Sequence, residues 1–71
     1  MDDIRSLIGN AIASRRTEIN MEQEQVCDYA QISKTTLSTL ENAKGNISLL
    51  NLEKILDVLG LEIMVRVKEK A

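Results

Sequence analysis

The sequence predicts a mainly α-helical domain of four helices, followed by one C-terminal β-strand that pairs across a dimer. Three observations predict it. Apolar residues recur at intervals of three and four through four separated segments. Residues suited to helix starts and stops (Asp2 or Asp3, Ser33 and Ser48; Asn20 and Gly60) bracket those segments. After Gly60 the apolar period changes to two.

The first helix is expected from Ile4 to Glu18, with Ile4, Leu7, Ile8, Ala11 and Ile12 forming a stripe wide enough to serve the core and a second contact. Asp2 or Asp3 can cap it, and Asn20, which tolerates a left-handed backbone, stops it. The second runs from Met21 or Glu22 to Ala30, with Val26, Cys27, Tyr29 and Ala30 inward. The third runs from Lys34 to about Asn42 behind the N-cap Ser33. Leu37 and Leu40 fall on its inner side, and Thr35, Ser38, Thr39 and Asn42 roughly opposite. Residues 43–46 form a loop around Gly45. Ser48 then caps a fourth helix, Leu49 to Leu59, whose core face is Leu49, Leu52, Ile55, Leu56 and Leu59. Leu50 and Val58 lie outside that face, and Gly60 ends the helix.

From Leu61 the residues Leu61, Ile63, Val65 and Val67 alternate with Glu62, Met64, Arg66 and Lys68, the pattern of a half-buried strand. No second strand is predicted for it to join. Pairing with the same strand of a second subunit, antiparallel across a twofold axis, would satisfy it. Residues 1–60 are therefore read as the helical domain and 61–71 as a dimerisation strand and short tail of the same structural unit.

Composition narrows the function classes. Seventy-one residues lie near the length below which a lone core supplies only about 3–5 kcal/mol, so a further staple is expected. One cysteine and no histidine leave no internal disulfide, no zinc set and no nucleophile–base pair. No enzyme chemistry and no cofactor are expected, and Cys27 is a core residue in this reading. With one aromatic residue, Tyr29, the core must be aliphatic. No segment is long and apolar enough to span a membrane, and none has the pattern of an export signal, so a cytoplasmic protein is expected. Oligomerisation is the staple that composition leaves open.

The formal net charge of −2 counts against nucleic-acid binding if taken alone. The acids are unevenly placed, however. Asp2, Asp3, Glu22, Glu24 and Asp28 precede the third helix, whereas residues 33–46 carry Lys34 and Lys44 against Glu41 alone. The outer face of the third helix offers short hydrogen-bonding side chains on a capped helix, a surface suited to base edges in a DNA major groove. Weak non-specific affinity with groove readout is the expectation. The rival is a protein-interaction module of the same fold without DNA binding, which the acidic balance and Glu22 favour.

The register of Gln23, Val26 and Ala30, the run ISKTTLSTLEN at residues 32–42, and Leu59-Gly60 resembles the phage repressor and Cro-like helix-turn-helix proteins, the XRE family, over residues 4–60. The resemblance implies a sequence-specific regulator, a repressor acting as a homodimer on a pseudo-palindromic operator in double-stranded DNA. It implies base contacts from Lys34, Thr35 and Thr39, with Ser33, Ser38 and Asn42 on the same surface. It implies phosphate contacts from Gln23, Thr36, Lys44, Gly45 and Asn46, and a structural ion pair between Arg16 and Glu41. The strand after the fourth helix resembles HipB-type antitoxins, which implies dimerisation through Leu61, Ile63, Val65 and Val67 and a partner toxin. Four positions depart from the family pattern: Glu22 stands at a usual Ser or Thr cap, Cys27 stands at a usual Ala where the second and third helices approach, and Gln31 and Ala43 stand where glycine is usual.

Overall fold

Within residues 3–69, which the computed structural model describes, the chain forms four helices: α1 (Ile4–Glu18), α2 (Gln23–Ala30), α3 (Lys34–Glu41) and α4 (Leu49–Leu59). Their starts follow the predicted caps. The Asp3 carboxylate accepts from the amides of Arg5 and Ser6 at 2.9 and 3.1 Å. These bonds, the one from Ser6 foremost, together with the Arg5 guanidinium, hold the carboxyl below its usual range. Asp2 lies outside the described residues. Ser33 accepts from the Thr36 amide and Ser48 from the Asn51 amide, each at 3.1 Å. At α2 the capping bond comes from the other direction: the Glu22 amide donates to Gln25 Oε1 at 2.8 Å.

All four helices stop by one device. Asn20, Gln31 and Ala43, each at φ 58°, and Gly60 at φ 68° turn left-handed. The amide of the next residue then reaches back over the last turn, Met21 to Arg16, Ile32 to Cys27, Lys44 to Thr39 and Leu61 to Leu56, at 2.9–3.1 Å. Glycine supplies the turn only once. Asparagine tolerates it, but Gln31 and Ala43 each carry a cost of roughly 1–2 kcal/mol. After Gln31, Ile32 packs against the core and offsets that cost; Met21 and Leu61 do the same at their corners. After Ala43 comes Lys44, which is exposed, so the strain there has no apolar counterweight.

The core is Ile12, Val26, Cys27, Ala30, Leu37, Leu40, Leu52, Ile55 and Leu59, all aliphatic but for the thiol. Burial foremost, then the charge of Asp28, pushes the Cys27 thiol pKa up, so it stays protonated as a packing group. α2 lies against α3 and α4, and α1 against the same two helices. Where α1 crosses α3, Gly9 makes the approach possible: a Cβ there would lie 2.3 Å from the Leu40 carbonyl oxygen and 3.3 Å from that of Glu41. Arg15 ties α1 to the end of α4, its Nε donating to the Leu59 carbonyl at 2.9 Å, a cation at the negative end of a helix.

Three expectations are corrected. Tyr29 is 73% exposed and Leu49 83% exposed, so neither belongs to the core. The expected strand does not form: residues 61–69 carry no regular secondary structure. The physical reason is that a β-strand needs a ladder, and the described residues offer no second strand. Leu61 is half-buried against the core, but Val65 and Val67 stand 93% and 91% exposed, so of the four expected dimerisation residues only Leu61 and Ile63 approach the helices. Residues 70–71 of the expected tail lie outside the described residues.

Two substitutions test these local arguments. Gly9→Ala should destabilise by about 1–3 kcal/mol, because overpacking at the crossing outweighs the better helix propensity of alanine. Ala43→Gly should stabilise by up to about 1 kcal/mol, the relief of strain less the entropic cost of glycine. Urea midpoints at unchanged m-value measure both.

Candidate nucleic-acid interface

The third helix presents its polar face as the tight turn after α2 requires. Gln31 turns the chain, Ser33 caps the new helix, and Leu37 and Leu40 anchor the opposite side in the core. Lys34, Thr35, Ser38 and Thr39 line a shallow open recess on that face.

The polar side chains are not equally free. The hydroxyls of Ser33 and Thr36 lie 2.8 Å apart and bond each other beside the cap. Asn42 Nδ2 donates to the Ser38 carbonyl at 2.8 Å and to the Ser38 hydroxyl at 3.4 Å. Among the described residues, Thr35 and Thr39 alone of the hydroxyl-bearing residues on this helix have no side-chain hydrogen bond. They lie one turn apart on the recess, where a base edge would meet them. Lys34 is held loosely: its Nζ lies 3.7 Å from Glu24, with both side chains well exposed.

Gly45, at φ 64°, folds the following loop against this face, and a Cβ there would lie 3.1 Å from the Thr39 methyl carbon. The loop brings exposed Lys44 and Asn46 beside the helix. Sequence reasoning missed one cation here. Arg5, paired with Asp3 at 3.0 Å, reaches across to the Gly45 carbonyl at 3.4 Å and joins Asn46 in lining a neighbouring recess. Forty residues separate Arg5 from Gly45, and no pattern in the chain signals the contact.

Behind the face lies the expected Arg16–Glu41 pair. Arg16 Nε donates to Glu41 Oε2 at 2.8 Å and its Nη2 to Oε1 at 3.1 Å, while Nη1 donates to the Met21 carbonyl at 2.9 Å. The Glu41 side chain is 8% exposed and that of Arg16 19%. The bond to Glu41 raises the Arg16 pKa against the effect of burial. Gln23 joins them, its Nε2 donating to Glu41 Oε1 at 3.0 Å. The amide expected to face a phosphate therefore already spends a donor on the ion pair. Its remaining hydrogen and its carbonyl are what Gln23 can offer outward.

Residues 12–64 match the model of the helix-turn-helix family HTH_3. The chain belongs to that family. Helix-turn-helix domains of this kind set the second helix of the motif, here α3, in the major groove. The chain is 38% identical over 64 residues to the control protein C.MunI of Mycoplasma sp, covering 89% of this chain and 86% of that one. It is 34% identical over 62 residues to the control protein C.BamHI of Bacillus amyloliquefaciens, covering 86% and 76%. A solved structure named MDT Protein shares the fold, with a TM-score of 0.84 at 23% identity over 97% of each chain. These relatives support the XRE-type helix-turn-helix resemblance. They lend nothing to the narrower HipB-type likeness, which rested on a strand that does not form. Among the described residues no helix is long and apolar enough to cross a membrane.

Removing the anion behind the helix should disturb the helix-turn-helix unit as a whole. Glu41→Ala leaves Arg16 half-desolvated with no counter-charge and frees the Gln23 amide. A loss of about 2–3 kcal/mol is expected, below the 3–5 typical of fully buried pairs because Arg16 keeps some water. Thermal or urea denaturation followed by circular dichroism checks it; a change within 0.5 kcal/mol, the range of ordinary surface substitutions, would remove the pair from the account.

Proposed function

We propose that this protein is a sequence-specific DNA-binding transcription regulator of the control-protein kind, acting as a homodimer on a pseudo-palindromic operator. The observation that carries the reading is the pair of uncommitted hydroxyls on Thr35 and Thr39, presented on an exposed helix whose inner face is locked by Leu37, Leu40 and Glu41. Each α3 would enter a major groove, with half-site centres about 34 Å apart. Thr35 and Thr39 would meet base edges or a thymine methyl, and Lys34 a guanine or a phosphate. Arg5, Lys44, Asn46 and Thr36 would hold the backbone. The similarity to two control proteins supports a regulatory role, and binding over a promoter would make that role repression. The role is non-enzymatic, with no cofactor.

A second reading has one observation in its favour: the net charge is −2, and Glu24 partly neutralises Lys34. On that reading the fold serves protein contacts alone. Replacing Thr35 and Thr39 together by alanine separates the two. Selection of operator DNA from a randomised pool, followed by fluorescence anisotropy, should show specific affinity falling by about 10- to 100-fold with folding unchanged. Unaltered affinity would remove Thr35 and Thr39 from the readout, and no sequence enriched at all would support the protein-interaction module.

Salt dependence provides a further check. Arg5, Lys34 and Lys44 in each of two subunits neutralise about six phosphates, so log K against log salt should slope at about −5. A slope steeper than about −8 would require cations that the proposed interface does not contain.

A further inference from the structure

The most unusual surface outside α3 is a groove between α4 and the chain that leaves it. Its floor is Leu49, Leu52 and Leu56, and its near end is closed by Leu61 and Ile63. Three acids stand on its rim, Glu53, Asp57 and Glu62. Among the described residues none of the three has an ion-pair partner within 4 Å. An apolar trough with an unpaired anionic edge is complementary to an apolar segment carrying cations.

The same chain holds such a segment. Met64, Val65 and Val67 are almost wholly exposed, and Arg66 and Lys68 lie among them. Neither cation forms an ion pair among the described residues. The segment cannot serve its own groove in this conformation, because its root at Leu61 and Ile63 already forms the groove's end and the chain then runs outward.

We propose that residues 64–68 of a second copy seat in this groove, and reciprocally, so that each subunit lends its tail to the other. Val65 and Val67 cover the leucine floor, while the long side chains of Arg66 and Lys68 reach the rim formed by Glu53, Asp57 and Glu62. The exchange closes under a twofold axis and leaves no open end for further association. The inference rests on the homodimer proposed above and says how that dimer is held.

Charge exchange tests it. One variant carries Arg66→Glu and Lys68→Glu, the other Glu53→Lys and Asp57→Lys, each in the full chain, with circular dichroism to establish unchanged helix content. Sedimentation velocity at 0.15 M salt should show each variant alone dimerising roughly tenfold or more weakly than the unmodified protein. An equimolar mixture should recover most of the dimer, since the acidic tail meets the basic groove and the unaltered basic tail meets the unaltered acidic groove. If either variant alone dimerises as well as the unmodified protein, the tail does not occupy the groove, although the homodimer stands. If both are weakened and the mixture does not recover, the proposal is equally overturned. If the unmodified protein is itself monomeric at every accessible concentration, the homodimer reading fails and takes this inference with it.

Discussion

The junction of Arg16, Glu41 and Gln23 decides how α3, the helix of the proposed DNA interface, is held. One carboxylate at the last residue of α3 receives a donor from α2 and two from α1, while the third Arg16 bond fixes the corner at Met21. A pair of this burial adds little net stability, because desolvation offsets most of the Coulomb gain. Its consequence is rotational. A one-residue slip of α3 would turn Glu41 by about 100° and break the three bonds to it at once. The aliphatic core would tolerate that slip far better, because Leu37 and Leu40 offer shape without direction. The ion pair is therefore what makes one face of α3, and not a neighbouring one, the outer face.

Close approach and corner geometry complete that constraint. Gly9 lets the α1 backbone reach the carbonyls of Leu40 and Glu41, which brings Arg16, two turns further along α1, within reach of Glu41. Four left-handed corners then return the chain sharply enough for short helices to share a single core. With a core of this size giving only a few kcal/mol, strain at Gln31 and Ala43 is a sizeable fraction of the total. Ile32 offsets it at the corner between α2 and α3. The corner after α3 lacks such an anchor, and that is where the loop turns toward the proposed phosphate contacts.

Local signals along the chain account well for the helices. Asp3, Ser33, Ser48 and Gly60 act at the ends where their residue types place them, and the three-and-four spacing identified every core residue: Ile12 in α1, Leu37 and Leu40 in α3, Leu52, Ile55 and Leu59 in α4, together with Val26, Cys27 and Ala30 in α2. The polar face of α3 was legible for the same reason, and the Arg16–Glu41 pair through family resemblance. Contacts between distant segments were not. Nothing local marks Gly9 as a crossing point, Arg15 as a cap for α4 or Arg5 as a neighbour of Gly45. The tail was misread because alternation reports which residues seek burial, not what will cover them. Val65 and Val67 have the strand period and no ladder.

Sparse charge and an exposed tail bear on the same question, which is how a weakly cationic reader could discriminate among DNA sites. On the proposed reading, two neutral hydroxyls and three cations per subunit would give modest affinity, and specificity would come from presenting two such faces at a fixed spacing. That spacing is rigid only if each α3 is rigidly related to whatever joins the subunits. The structure supplies the connection inside the subunit: α4 begins at the Ser48 cap, a few residues after α3 ends, and Arg15 fastens its far end to α1, which also holds Glu41. Leu49 and Leu52 line both the groove beside the tail and the recess that contains Arg5 and Asn46. A tail seated in that groove would pack against side chains that also support the proposed phosphate-binding loop. Dimer contact and DNA register would then share one set of residues, and the distance between the two reading helices would be set by α4 rather than by a flexible linker.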